Sequence, residues 1–423
     1  MLCHSGLLAQ DKSLEAFIKK SDFLLFRKEK NANGDIISIS SRNSVNPFIP
    51  TMRQESIYDR YPVHVKIEYF KKYSKLKFLS LSGCEVVDMS GLSELKDIEY
   101  LDLSGTRIKN FAMISSHSLK KLNLSNAKSA DNNVFVFSNQ LPNLRELSLD
   151  KISPNIRIIG LDNLNLKRLY VRDCENLDLV FLRECRISEL YMDRMTGVVD
   201  LDRLKNLPIR ILHLGRMVRV KNIQSLQTLS KLQVLDISLQ GNLNFSFKML
   251  SGLPLKRLKM WHHTIIFNRQ EAYFLSKLPL NELSLFEIIF DDLQPVLEMP
   301  LQNLELNQLV LPFNTLQLLA KNISLRRLQI SHPMKLNGKP FYDFPWRDLQ
   351  LLNIAELDLS HCSISDWGWV HNMSHLKVLI LPGNMRDLKP LSDLHFRMLI
   401  TPGLKPEEKL KQMKENRIIC EIL

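Results

Sequence analysis

No apolar run in this 423-residue sequence approaches the length of a bilayer-spanning helix, which needs roughly 20 residues. Runs such as FLLF, Phe23 to Phe26, and RIIGL around Ile158 stop after a few positions, so no transmembrane helix and no membrane partner is expected. The opening, MLCHSGLLAQDKSLEAF, has no basic residue ahead of its short apolar stretch and acquires charge at once, which argues against a secretory signal. Cysteine is equally thin. Its six copies, Cys3, Cys84, Cys174, Cys185, Cys362 and Cys420, are spread along the chain with no CxxC pair. That spacing reads as reduced thiols, and a cytoplasmic location is the expectation.

Blocks of like charge are also missing. The net charge of +12 comes from 57 Lys+Arg against 45 Asp+Glu. Residues 1–75 hold 13 against 8, residues 402–423 hold 5 against 4, and the remaining 39 against 33 lie between. Dedicated nucleic-acid binders usually gather their cations into a run or stripe, so this balance implies a mildly basic surface. No glycine-rich phosphate loop, G-x-S-x-G elbow, H-E-x-x-H or kinase signature occurs, so neither a catalytic residue nor a cofactor is expected. His262 and His263 follow Trp261 at the end of a strand pattern, where successive side chains face opposite ways, so a shared metal is not expected. The same geometry separates Cys362 from His361 as a nucleophile and base.

What the sequence has in abundance is one motif. L-x-x-L-x-L, with Ile, Val, Met or Phe substituting, starts at Leu76, Ile98, Leu119, Leu144, Leu166 and Ile187. It continues at Ile209, Leu232, Leu255, Leu280, Leu301, Leu325, Ile354 and Leu376, and ends in a degenerate copy at Phe396. Those fifteen copies cover 320 residues in 14 intervals, about 23 residues each. A strand built on this motif turns its first, fourth and sixth residues inward and its third and fifth outward. Stacked at about 4.8 Å, such strands form a parallel ladder with one leucine core behind it. Leu147, Leu235 and Leu304 are among the expected core residues. Apolar residues at 45% and charged residues at 24% suit a folded chain of this kind.

The recurring motif resembles the leucine-rich-repeat family over residues 76–401. Phrases such as GCEVVDMSGLSELKDIEYLDLSGTRIKNF resemble its short-repeat subclass of 21 to 25 residues, found in phosphatase regulators and in bacterial proteins. The resemblance implies an α/β solenoid, a horseshoe whose concave face is the parallel β ladder and whose convex side is made of short 3-10 or extended segments. Family members commonly place Asn or Cys three residues after the sixth motif position. Cys84, Cys174, Cys362 and Asn384 fit, whereas Ile152, Ile288 and Leu309 do not, which implies irregular central turns.

Residues 1–75 and 402–423 fall outside the repeat phase and are read as an N-terminal cap or small accessory segment and a C-terminal cap. In the first, FLLFRKEKNANGDIISISS suggests two strands around a turn at Asn31 to Asp35, and PVHVKIEYFKKYSKL a helix from about Pro62. In the second, a helix from Pro406 and a short strand are expected. The long interval after Leu325 carries Phe341, Tyr342, Phe344 and Trp346, aromatics expected to fold back onto the repeats.

With no chemistry in sight, the outward positions carry the functional reading. They gather large amphipathic side chains in the middle of the array: Arg168, Tyr170, Arg172, Tyr191, His213, Arg257, Lys259, Trp261 and Phe286. Aromatic residues and arginine are enriched at binding hot spots. The chain therefore reads as a non-catalytic scaffold or regulatory subunit that receives a protein partner on the concave face. The alternative is nucleic-acid binding through the same basic and aromatic patch, with Tyr and Trp stacking bases.

Overall fold

The computed structural model describes residues 26–41 and 64–422, apart from 131–132, 138, 184, 218, 240–244, 262–265 and 336–337. The chain forms two compact units, residues 1–209 and 210–423.

In the first unit each motif makes a strand of three to five residues, and the strands pair in parallel, in one register. They are Phe78–Ser80, Tyr100–Asp102, Lys121–Asn123, Glu146–Ser148, Arg168–Arg172 and Glu189–Asp193. The register aligns the fourth motif residues, Leu79, Leu101, Leu122, Leu147, Leu169 and Leu190, and all six are fully buried. Burial of a leucine contributes roughly 1.5 to 3 kcal/mol, and here it arises only between neighbouring repeats.

Each of these six strands ends in the same turn. The eighth motif residue has a left-handed backbone, at Gly83, Gly105, Asn126, Lys151, Asp173 and Arg194 alike. That conformation aims its N–H at the next repeat: Gly83 N donates to Ser104 O at 2.9 Å and Lys151 N to Arg172 O at 2.7 Å. Lysine and arginine adopt it at a cost of roughly 1 kcal/mol, so the ladder bond outweighs local preference. The ninth residue then fills the turn. Thr106 Oγ1 donates to Leu103 O at 2.5 Å and Cys174 Sγ to Leu149 O at 3.5 Å.

Ahead of the repeats, Phe26–Lys30 and Ile36–Ser41 form the expected antiparallel hairpin. Asn31 Oδ1 closes its turn by accepting from Asn33 N at 3.0 Å and Asp35 N at 2.9 Å. Ile36–Ser41 then lies parallel to Phe78–Ser80, with Ile39 beside Leu79. The helix expected from Pro62 does not form: Pro62 lies outside the described residues, His64–Lys66 is extended, and Ile67–Phe70 is one 3-10 turn. Val65 instead pairs with Val86 in a rear sheet of His64–Lys66, Glu85–Asp88, Arg107–Ile108 and Lys128–Ser129. The β-branched side chain and its sheet partner override the helical spacing.

The second unit repeats the ladder through Ile211–Met217, Val234–Leu239, Arg257–Trp261, Glu282–Phe286, Asn303–Asn307 and Arg327–Ser331. It continues through Glu356–Asp358, Val378–Ile380, His395–Ile400 and Ile419–Ile422. Leu235 and Leu304 are buried on its inner side. Behind the ladder this unit has the expected 3-10 turns, as at Ile223–Thr228, Phe247–Leu250 and Trp346–Leu351, except that Arg269–Ser276, Gln294–Leu297 and Thr315–Leu319 are α-helical. Arg269–Ser276 is helped by the Asn268 side chain, which accepts from Glu271 N at 3.0 Å as an N-cap. Three insertion aromatics, Phe341, Phe344 and Trp346, are buried as expected, while Tyr342 is 74% exposed. The helix Pro406–Glu415 and the strand after it form as expected. Among the described residues no helix is long and apolar enough to cross a membrane.

Two outcomes follow from this packing. Leu235→Ala is expected to lower the free energy of unfolding by about 2 to 5 kcal/mol, and an unchanged urea midpoint would contradict the register. Cys84, Cys174, Cys185, Cys362 and Cys420 are free thiols, and burial pushes those of Cys84, Cys174 and Cys362 up to about 12. Reductant should therefore leave the melting temperature where it is, and a large drop would reveal a structural disulfide.

Candidate functional site

The third, fifth and seventh motif residues make the outer face of each ladder. Along the first four motif strands of the first unit this face is closed. Asp102 accepts hydrogen bonds from Ser80 Oγ at 2.7 Å, Asn123 Nδ2 at 2.7 Å and Ser104 N at 3.0 Å. Ser125 Oγ donates to Asn123 Oδ1 at 2.6 Å and lies 2.8 Å from Ser148 Oγ. Ser80, Asp102, Asn123 and Ser148 are all buried. Phe78 meets Tyr100 edge-on at 4.7 Å. Burial holds the Asp102 carboxyl above the ordinary carboxylate range despite the hydrogen bonds from Ser80, Ser104 and Asn123.

Opening begins at the fifth motif. Tyr170 and Tyr191 sit side by side in register and stack at 4.8 Å and 12°. The Arg172 guanidinium lies 5.1 Å from the Tyr170 ring centre and is held by Asp150 through Nη2 at 2.6 Å and Nε at 2.9 Å. Arg168 bridges Glu146 at 3.0 Å and Glu189 at 2.6 Å, and Tyr191 Oη donates to Glu189 at 3.3 Å. The result is a rigid pair of half-buried phenol rings framed by cations that already have carboxylate partners. Burial raises the hydroxyl pKa of both rings, that of Tyr170 to about 12, so both stay protonated donors near neutral pH.

The second unit presents a comparable group. Lys259 Nζ lies 4.6 Å from the Trp261 ring centre and 4.8 Å from that of Phe286, and the two rings are 4.6 Å apart. Phe286 is buried and supports the half-buried Trp261 from the neighbouring strand. Arg257 is paired with Glu282 at 2.5 Å, and His213 Nδ1 lies 2.9 Å from Asp236 Oδ2. The other Asp236 oxygen is buried without a hydrogen-bond partner.

All nine sequence-derived face residues thus lie on ladder strands: Arg168, Tyr170, Arg172 and Tyr191 in the first unit, His213, Arg257, Lys259, Trp261 and Phe286 in the second. Sequence reasoning missed Asp150 as the partner of Arg172, although it occupies the seventh position of its motif. His262 and His263 lie outside the described residues, and no group of three or more potential metal ligands occurs among those described. Cys362 does not face His361; its thiol donates to Ile330 O at 3.0 Å, and the His361 ring stacks on His332 at 5.3 Å.

Short parallel strands, one per motif, with the fourth leucine of each aligned on its neighbours, decide the fold. Each unit folds as a ladder of leucine-rich repeats. Searched against protein-family models and against curated proteins, its sequence matches none. Among solved structures it is similar to a leucine-rich-repeat protein of Leptospira interrogans, at 20% identity over 84% of this chain and 85% of that one, with a TM-score of 0.42. An internalin of Listeria monocytogenes is 19% identical over 78% and 88%, with a TM-score of 0.37. The mouse RP105/MD-1 complex gives 14% over 85% and 85%, with a TM-score of 0.40.

The closed polar face makes a pH prediction. Asp102 has its folded pKa raised, so its contribution to stability is fully present below the ordinary carboxylate range and is lost as pH rises through the raised value. The stability difference between wild type and Asp102→Asn should therefore move in the variant's favour from about pH 4 upward. A difference that stays flat to pH 8 in urea melts would mean that the carboxyl is not held above its ordinary range.

Proposed function

We propose that this chain is a non-catalytic binding protein, a scaffold or regulatory subunit, whose partner is a protein docking on the outer ladder face. The observation that carries this reading is the pairing of half-buried rings with neutralised charge. Tyr170 and Tyr191 stack half-buried on the face while Arg168 and Arg172 are held by Glu146, Glu189 and Asp150. Trp261 stands on Phe286 while Arg257 is held by Glu282. Such groups offer apolar area and directed hydrogen bonds at little entropic cost, the features of a hot spot.

Nucleic acid is disfavoured on this face for the same reason. Its phosphates need cations free to displace counterions, and here three of the arginines are already engaged within the ladder. In this reading residues 1–75 and 402–423 serve as caps, since Ile36–Ser41 and Ile419–Ile422 each extend a ladder by one strand. A cytoplasmic setting belongs to the same proposal, as a compartment in which the described thiols stay free.

Tyr191→Ala combined with Trp261→Ala removes aromatic area and leaves every inward leucine in place. Affinity purification with mass spectrometry should recover a partner from wild type and at least about tenfold less from this variant, at matched circular dichroism. Equal recovery would move the site off the ladder face. Recovery of RNA with a steep salt dependence would favour the nucleic-acid alternative.

A further inference from the structure

The second motif residue, which lies just ahead of the ladder strand, follows a rule of its own. Lys and Arg make up 57 of 423 residues, so about two would be expected among fifteen second positions, yet nine are cations and Glu99 is the single carboxylate. In the first unit the cations are Lys77, Lys120, Arg145 and Lys167. Backbone hydrogen bonds hold them at rung spacing: Glu99 N donates to Lys77 O at 2.8 Å, Lys120 N to Glu99 O at 2.9 Å and Arg145 N to Lys120 O at 2.8 Å. These positions form a rim along one edge of the ladder, at about 4.8 Å per step.

Structural demands account for only part of this charge. The Arg145 guanidinium donates to the carbonyls of Pro142, Leu144 and Asn165, at 3.1 to 3.2 Å, and so braces the turn before its strand. Lys120 pairs with Glu99 at 3.1 Å, both more than two-fifths exposed, a contact that contributes little to stability. Lys77 is exposed and meets no carboxylate among the described residues. In the second unit Arg326 repeats the bracing role of Arg145, whereas Arg210, Lys256, Lys377 and Arg397 lie on the rim with no described ion pair. Lys167 pairs with Glu189 at 3.6 Å, so the rim mixes paired and unpaired cations, whereas on the outer face Arg168, Arg172 and Arg257 all have carboxylate partners.

In the first unit the rim opens into a cleft of about 510 Å³ lined by Lys77, Lys96, Lys120 and Arg145 together with Asp97 and Glu99. We propose that this cleft docks an acidic segment of a protein partner. No Phe, Tyr or Trp lines it, so a single-stranded nucleic acid would find only the His117 ring to stack on. Its two carboxylates repel phosphates and peptide carboxylates alike, but a peptide also brings backbone N–H groups that Asp97 and Glu99 can accept, which a phosphate backbone lacks. The proposal shares with the preceding section only the class of partner, and it uses different residues.

The test measures binding of the full chain to a labelled peptide of about a dozen residues alternating Glu and Ser, at about 0.05 M salt, where surface charges act over roughly 14 Å. Oligo-dT of the same length is measured alongside. Wild type is expected to bind the peptide more tightly than oligo-dT, and Lys77→Glu with Lys120→Glu to weaken the peptide at least about tenfold. Lys109→Glu, just after one rear-sheet strand, with Lys128→Glu, on the next, makes the same change of net charge and should leave binding within about twofold. If the reversed rim fails to fold, Lys77→Gln with Lys120→Gln is read the same way. No peptide binding by wild type, an equal loss in the rear-sheet variant, or tighter binding of oligo-dT would each overturn the proposal. Loss of the peptide in Tyr191→Ala with Trp261→Ala, but not in the rim variant, would also overturn it and leave the ladder-face reading standing.

Discussion

Parallel backbone pairing between consecutive repeats is the constraint from which the other features of both units follow. A three-residue strand such as Tyr100–Asp102 has no stability alone. Pairing it with Phe78–Ser80 and Lys121–Asn123 satisfies its backbone and at the same time sets Leu101 between Leu79 and Leu122. The two effects cannot be separated, because a one-residue slip would turn every leucine outward. The left-handed eighth residue belongs to the same constraint. Lys151 and Asp173 accept an unfavourable φ because their N–H groups must reach the adjoining repeat.

Once the inner positions are committed, the outward ones are free to differ, and within the first unit they differ by strand. Early strands carry short polar residues that bond to one another, as Ser80, Asp102 and Asn123 do. Later strands carry Tyr170 and Tyr191, too large to sink between neighbours, with carboxylates placed one strand away from each arginine. A face built in this way is stiff before any partner arrives. Association with the proposed partner would then cost less side-chain entropy, so that a modest aromatic area could yield useful affinity.

The fold was legible in the sequence because a leucine at every fourth motif position has one physical explanation, repeated fifteen times. Leu147, Leu235 and Leu304 could be assigned to the interior, and Tyr170 and Trp261 to the outer face, from alternation alone. Features that depend on cross-repeat partners were not legible. Asp150 becomes the anchor of Arg172 only through the separation of neighbouring strands, and Asp102 is buried only by what surrounds it. The α-helices behind the second ladder escaped because residue spacing of 20 to 25 leaves room for a short helix or a 3-10 turn alike. Arg269–Ser276 is helical where Asn268 offers a cap and the following residues suit a helix. At His64–Lys66 the opposite error arose: a pattern with helical spacing yielded to a waiting sheet partner in Glu85–Asp88.

Outer face and rim differ in how their charge is arranged, and that difference separates two physical roles. On the face, Arg168 lies between Glu146 and Glu189, so its field is short-ranged and a partner docked there, as proposed, would gain mainly by covering the rings. On the rim, Lys77 and its neighbours outnumber the nearby carboxylates, and unmatched charge acts across about 10 Å at 0.1 M salt, well before contact. Charge of that kind changes how fast an acidic partner arrives and in what orientation, while desolvated aromatic contact governs how long it stays. Second and third motif residues are adjacent in sequence, yet one points along the edge of the ladder and the other across it. A repeat of about 23 residues can therefore supply capture and retention from neighbouring side chains without altering a single inward leucine.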